Sequence, residues 1–145
     1  MPLAKSLAET AKLAAEFTAA LRPSEVGATI VGLYGDLGSG KTVFAQAVAK
    51  QLGVNEVVTS PTFVIEKVYR LPGEAKWWRH LIHIDAYRLK NVSEMLDLGW
   101  TEIAGDVSNL ILIEWADRIE KILPPQTRKI FFKFIDETTR EIRVA

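Results

Sequence analysis

The 145 residues include 18 basic and 18 acidic side chains, so the formal net charge is zero, and 48% of the residues are hydrophobic. This balance argues against a protein whose main task is to grip a nucleic-acid backbone, because such binding depends on neutralising phosphates. Cysteine is absent, which excludes disulfides and thiolate sites, and no apolar segment approaches the roughly 20 residues that cross a bilayer. We expect one soluble, cytoplasmic domain over residues 1–145.

The first elements predicted along the chain are a helix, a buried strand and a second helix. Ser6 and Glu9 form a capping-box pattern, and apolar residues then recur at helical spacing until a proline ends the run. Residues 28–34 are nearly all apolar and include β-branched side chains, which is typical of a strand buried on both faces. Residues 41–52 have helical spacing and stop at Gly53, which is suited to a helix cap.

Between this strand and the second helix lies the octapeptide Gly35-Asp36-Leu37-Gly38-Ser39-Gly40-Lys41-Thr42, which matches the phosphate-loop (Walker A) pattern at every specified position. A nucleoside triphosphate crowds negative charges together, so a glycine loop rich in backbone N–H groups and a helix N-terminus suit it. Lys41 would reach the β and γ phosphates, and the Thr42 hydroxyl would ligate Mg²⁺. The alternative is a glycine-rich turn with a solvated lysine.

After the second helix the sequence predicts a short extended segment with Ser60-Pro61-Thr62, and then an antiparallel hairpin from Phe63 to Asp85. The hairpin loop carries Trp77-Trp78 among basic residues, which fits a solvated turn, a protein contact or stacking on RNA bases. His83 lies in an otherwise apolar strand, and we expect a hydrogen-bonded interior histidine there and not a metal ligand.

Two short helices are predicted next, one capped by Ser93 and running through Leu98, the other a brief turn over residues 101–104. Leu110 to Ile113 is the second wholly apolar run and is predicted to be a central strand, closed by Glu114-Trp115. An acid at the end of a buried strand is the expected partner of a phosphate loop.

The C-terminal part is predicted to contain a helix over residues 116–123, which ends at Pro124-Pro125, and a strand pair over 127–135 and 139–144. The whole pattern predicts an α/β fold: a three-layer P-loop NTPase-like sandwich with a mostly parallel central sheet and antiparallel peripheral strands.

Three features fall where ligands bind in such sheets, beyond the carboxyl ends of the central strands. Glu114 could hold Mg²⁺, directly or through water, or polarise the attacking water. Asp85 ends the second hairpin strand, and Ser60-Pro61-Thr62 could sense the γ phosphate as switch loops do. For each acid the alternative is an ordinary carboxylate at a strand end.

These motifs and their order resemble the TsaE family, also called YjeE, of bacterial ATPases required for threonylcarbamoyladenosine formation in tRNA. The matching residues are Gly35 to Thr42, Ser60 to Phe63, His83 to Leu89 and Glu114-Trp115.

The resemblance implies ATP and Mg²⁺ as cofactors, with residues in named roles. It implies nucleotide binding by Asp36, Gly38, Ser39, Gly40, Lys41 and Thr42, metal binding by Thr42 and Glu114, and turnover by Asp85, Glu114 and Thr62. It also implies an accessory role to the TsaB-TsaD complex, which transfers a threonylcarbamoyl group, and tRNA contact is expected only through partners.

Arg88 is the nearest candidate for an arginine finger, but the sequence gives no clear internal one, so we expect slow hydrolysis by the chain alone and acceleration by its partners. Two alternatives are a small-molecule P-loop kinase and a nonhydrolytic nucleotide-dependent switch.

Overall fold

The computed structural model describes residues 3–36, 38–56, 66–73 and 77–145. The strands are β1 (Leu3–Ala4), β2 (Thr29–Tyr34), β3 (Glu66–Arg70), β4 (His80–Asp85), β5 (Asn109–Glu114), β6 (Arg128–Phe134) and β7 (Arg140–Val144). The helices are α1 (Leu7–Ala20), α2 (Lys41–Gln51), α3 (Val92–Asp97) and α4 (Trp100–Ala104), and a 3₁₀ helix covers Ala116–Ile122.

The described strands form one sheet in the order β1-β7-β6-β2-β5-β4-β3. The four central strands β6, β2, β5 and β4 are parallel to one another, whereas β3, β7 and β1 pair antiparallel at the two sides. Parallel strands need crossover connections, and helices supply them on both faces of the sheet. The predicted α/β fold class is confirmed.

Alternation along β2 and β5 divides the hydrophobic core into two layers. Val31, Leu33 and Leu112 face α1 and α2, where Phe44 and other helix side chains cover them. Their sequence neighbours face the other side and pack under α3, α4 and the 3₁₀ helix, as Ile111 does. Because both faces are covered, the middle of each of these two strands is apolar and does not alternate with polar residues.

The predicted start of α1 is confirmed, since Ser6 Oγ accepts a hydrogen bond from the Glu9 amide at 3.2 Å. The predicted cap of α3 was wrong. Asn91 is the cap, with extended backbone (φ −157°) and a side-chain oxygen that accepts from the Glu94 amide at 3.2 Å. Ser93 lies inside the first turn of this helix and cannot fill the cap position, which needs non-helical backbone.

Residues 116–122 are helical as predicted, but the helix is of the 3₁₀ type and is interrupted at Ile119, where φ is −126°. Tightened, irregular turns are common in short connectors of this kind. The two-residue strand β1 was not predicted, because two residues are too few to show a period.

The antiparallel hairpin is confirmed over the pairs from Glu66–Ile84 to Arg70–His80. Residues 57–65, which include Thr62, lie outside the described residues, as do 37 and 74–76. Trp78 is buried and donates from Nε1 to Thr29 Oγ1 at 3.1 Å. No helix within the described ranges is long and apolar enough to span a membrane.

Candidate nucleotide site

The glycine-rich loop connects the end of β2 to the start of α2, at the carboxyl edge of the parallel strands. Gly35 has φ = 149°, and a Cβ built on it would lie 2.6 Å from the Phe132 carbonyl oxygen, so only glycine lets the loop pass β6 this closely. Gly40 has φ = 102° and directly precedes α2. The loop therefore presents backbone to the site with few side chains in the way.

Lys41 folds back into the loop that it terminates. Its Nζ donates to the carbonyl oxygens of Gly35 and Asp36, the latter at 2.9 Å, and to Ser39 Oγ at 3.5 Å. The ammonium also lies 4.1 Å from the centroid of the Trp115 ring, which is within cation–π range. A positive charge is thus held at the centre of the loop.

Burial lowers the pKa of the Lys41 ammonium, and the nearby carboxylates of Glu114, Asp36 and Asp85 oppose that shift. The lysine is only 5% exposed. Loss of water therefore lowers the pKa of this ammonium, and the surrounding carboxylates raise it.

Glu114 ends β5 and is 3% exposed. Its two carboxylate oxygens have different partners: Thr42 Oγ1 lies 2.8 Å from Oε1, and His83 Nε2 lies 2.6 Å from Oε2. The expectation that His83 is a hydrogen-bonded interior histidine is confirmed.

Asp85 stands beside Glu114 because β4 and β5 are parallel and pair these two residues in register. Alternate residues of a strand share a face, so His83, Asp85 and Glu114 all lie on the face that carries α2. Asp85 Oδ1 accepts a hydrogen bond from the Tyr87 amide at 3.0 Å. The two acids predicted from the sequence therefore lie together.

A cleft of about 410 Å³ opens over these groups. The lining includes the predicted residues Gly38, Ser39, Gly40, Lys41, Thr42, Asp85 and Glu114. Asp36 does not line it and contributes its carbonyl to Lys41, while Thr62 lies outside the described residues.

Arg140, at the start of β7, also lines the cleft and was missed by the sequence reasoning. Its Nε donates to the Gly38 carbonyl at 3.0 Å, and its Nη1 donates to the carbonyls of Asp136 and Thr139 at 2.5 and 3.0 Å. Arg88, the arginine that the sequence favoured, is exposed and is not among the residues lining this cleft. No local sequence pattern marks Arg140, because it reaches the loop only through the order of the strands in the sheet.

A second cleft, of about 280 Å³, adjoins the first and shares Gly40, Val43 and Arg140 with it. Its other wall comes from the first turn of α1, including Leu7, and from the β6–β7 turn. Leu7 and Val43 give this cleft apolar surface, which suits a small organic group.

The donor set at Thr42 and Glu114 fits Mg²⁺. Within the described ranges no group of three or more His, Asp or Glu side chains is placed to hold a metal. Magnesium does not need such a cage, because it keeps several waters and is usually bound by one or two protein groups together with phosphate oxygens. One hydroxyl and one carboxylate that already lie 2.8 Å apart meet that requirement.

Comparisons with known proteins find similar sequences and a similar solved structure. The chain is 39% identical over 138 residues to a Bacillus subtilis relative named tRNA threonylcarbamoyladenosine biosynthesis protein TsaE, covering 92% of this chain and 78% of the relative. A Rickettsia typhi relative of the same name is 36% identical over 133 residues, 91% of this chain and 85% of the relative. Among solved structures, Bacillus subtilis YdiB is similar with a TM-score of 0.72 and 29% identity, over 99% of this chain and 82% of that one. Residues 4–142 match the family model described as threonylcarbamoyl adenosine biosynthesis protein TsaE, and the chain therefore belongs to the TsaE family.

Proposed function

We propose that this chain is a P-loop ATPase that binds ATP with Mg²⁺ and serves the formation of threonylcarbamoyladenosine in tRNA. The observation that carries the proposal is the convergence of Lys41, Thr42, Asp85 and Glu114 in one cleft at the carboxyl edge of the sheet. The name shared by the relatives supplies the process in which the ATPase acts.

In this proposal the loop from Asp36 to Thr42 binds the phosphates. Gly38, Ser39 and Gly40 line the cleft and are proposed to contact the polyphosphate, and Lys41 is proposed to exchange the loop carbonyls for phosphate oxygens. The second cleft, which shares Gly40 with the first, receives the nucleoside.

Thr42 and Glu114 are proposed to hold Mg²⁺, which when bound neutralises charge that develops on the phosphates. Asp85, paired with Glu114 in the strand register, is proposed to orient the attacking water. Arg140 places positive charge at the rim of the same cleft. Thr62 remains proposed for the γ phosphate on the sequence pattern alone.

The chain is proposed to act as an accessory to the TsaB-TsaD complex. Arg140 has both Nε and Nη1 bonded to backbone carbonyls and is thereby fixed to the loop and the β6–β7 turn. An arginine that a partner supplies at the transition state can add roughly 10³–10⁵ in rate. We therefore expect slow hydrolysis by the chain alone, and acceleration by the complex.

Calorimetric titration with ATP and Mg²⁺ tests the binding step. Wild type should release heat at micromolar to millimolar ATP, and Lys41→Ala should not. Lys50→Ala is the matched control, because Lys50 is exposed at the far end of the same helix, α2. Equal binding by wild type and Lys41→Ala would refute the proposal.

Phosphate release, measured with and without the TsaB-TsaD complex, tests the role. We expect faster release with the complex and loss of release in Glu114→Gln. Transfer of the γ phosphate to a metabolite and not to water would instead identify a kinase. If Glu114→Gln supports tRNA modification fully without hydrolysis, the chain is a nonhydrolytic switch.

A further inference from the structure

His83 is a buried polar side chain to which the proposed function assigns no role. It lies in the middle of β4 and is 1% exposed. Its Nε2 is 2.6 Å from Glu114 Oε2, and its Nδ1 is buried without a hydrogen-bond partner among the residues that the structure describes. A histidine that needed only to fill space in the core would be a poor choice, because burying polar nitrogens is unfavourable.

The contacts determine which ring nitrogen carries the hydrogen. An ionised carboxylate only accepts hydrogen bonds, so Nε2 must be the donor to Glu114 Oε2. The opposite neutral tautomer would set two lone pairs against each other at 2.6 Å and would bury an N–H group at Nδ1 with no described acceptor. The ring therefore donates a hydrogen bond through Nε2 to Glu114, the residue that ends β5.

The other oxygen of Glu114 is left for the nucleotide loop. Oε1 is the atom that faces Thr42 Oγ1, at 2.8 Å. His83 and Glu114 lie on paired strands of the sheet. The β5 residue opposite His83 is Leu112, which lies two residues before Glu114, so His83 and Glu114 are on the same face of the sheet. A carboxylate held at one oxygen can rotate little, which fixes the direction of the second oxygen.

We infer that His83 is a positioning residue, which holds Glu114 Oε2 so that Oε1 stays directed at Thr42 and at the Mg²⁺ of a bound nucleotide. This inference rests on the proposed function, since it concerns the metal that accompanies ATP. Partners of this kind, which touch a metal ligand and not the metal, typically change metal affinity or activity 10–100-fold when replaced.

The test compares nucleotide affinity with and without Mg²⁺. Calorimetry with a non-hydrolysable ATP analogue is run in Mg²⁺ and again in EDTA, for wild type, His83→Leu and His83→Gln. Leucine removes the donor, whereas glutamine keeps an N–H group at similar reach. We expect His83→Leu to lose about 10–100-fold of the affinity gained from Mg²⁺, with unchanged affinity in EDTA, and His83→Gln to restore most of that gain.

A purely structural role predicts a different result, because a disturbed site would weaken binding in Mg²⁺ and in EDTA alike. Three outcomes would overturn the inference. They are weaker binding in both buffers, an unchanged gain from Mg²⁺ in His83→Leu, and failure of His83→Gln to restore that gain. Circular dichroism and unfolding of the nucleotide-free variants check folding. If His83→Leu does not fold, His83→Asn replaces it, since its amide is one methylene too short to reach Glu114.

The same titration separates this inference from the proposal beneath it. If wild type binds no nucleotide in either buffer, the proposed function fails and the role of His83 falls with it. If wild type binds with a clear gain from Mg²⁺ and His83→Leu shows the same gain, only the role of His83 is refuted.

Discussion

Replacing Gly35 with alanine tests how closely the nucleotide loop must approach the sheet. An ideal Cβ at this residue would lie 2.6 Å from the Phe132 carbonyl oxygen and 2.7 Å from Ser39 Oγ, and Gly35 also has φ = 149°. Contacts shorter than 3.0 Å essentially never occur for real Cβ atoms. The variant must therefore move β6 or the loop, or change its own backbone.

Two terms set the size of the effect. Holding a residue with a side chain in a backbone region used almost only by glycine costs about 1–3 kcal/mol. Forcing an additional carbon into a close-packed contact costs a further amount of about 1–3 kcal/mol. We expect the free energy of unfolding to fall by about 2–6 kcal/mol, a large share of the roughly 5–15 kcal/mol that stabilises a domain.

Urea unfolding followed by circular dichroism measures the change, with Gly73→Ala as the matched control. A Cβ on Gly73 meets no atom within 4 Å, and the residue has no positive φ, so this variant should stay within about 0.5 kcal/mol of wild type. The nucleotide affinity of Gly35→Ala should fall as well, because the loop is displaced. A Gly35→Ala chain as stable as Gly73→Ala would refute the reasoning.

Three further predictions concern single side chains. Arg140→Ala should weaken ATP binding roughly 10- to 150-fold in calorimetry, because a charged hydrogen bond to the loop is worth roughly 1.5–3 kcal/mol. Arg143→Ala, on the same strand, should not. Hydrogen bonds within the β6–β7 turn, of which the one from the Thr138 backbone amide has the largest effect, hold the pKa of Asp136 below its usual range. Its stabilising contribution is therefore present above the unfolded value of about 3.9 and is lost as the pH falls through the lower folded-state pKa, so Asp136→Asn should reduce the acid dependence of urea unfolding below about pH 4. Asn91→Ala should lower the unfolding free energy by about 1 kcal/mol through loss of a helix cap, and no comparable loss in Ser93→Ala would confirm which residue caps α3.

The elements predicted correctly from the sequence are those with an uninterrupted local pattern. β2 and β5 each contain an apolar run, and α2 follows a loop whose residue spacing is tied to phosphate chemistry. Glu114 and Asp85 could be predicted because each directly ends a strand, and parallel strands bring their carboxyl ends to one edge. The local sequence was sufficient to predict a site residue wherever that residue lies at the end of the strand or loop that positions it.

Features that depend on distant pairing could not be predicted in this way. Arg140 reaches the loop because β6 lies beside β2 and β7 lies beside β6, and nothing in the neighbourhood of Arg140 in the sequence specifies that order. The cap of α3 was decided by backbone conformation between two suitable side chains, Asn91 and Ser93. Thr62 stays a prediction, since it lies outside the described residues.

The buried position of Lys41 has a consequence for how an anion is captured. Its ammonium is already bonded to loop oxygens and is 5% exposed, so the chain dehydrates this cation during folding and not at the moment of encounter. In the proposed function, an arriving polyphosphate would substitute one set of acceptor oxygens for another, which would keep the reorganisation small. Burying the charge before nucleotide binds lowers the folding stability of the nucleotide-free protein. An isosteric, uncharged Lys41→Met chain should therefore fold at least as stably as the natural one.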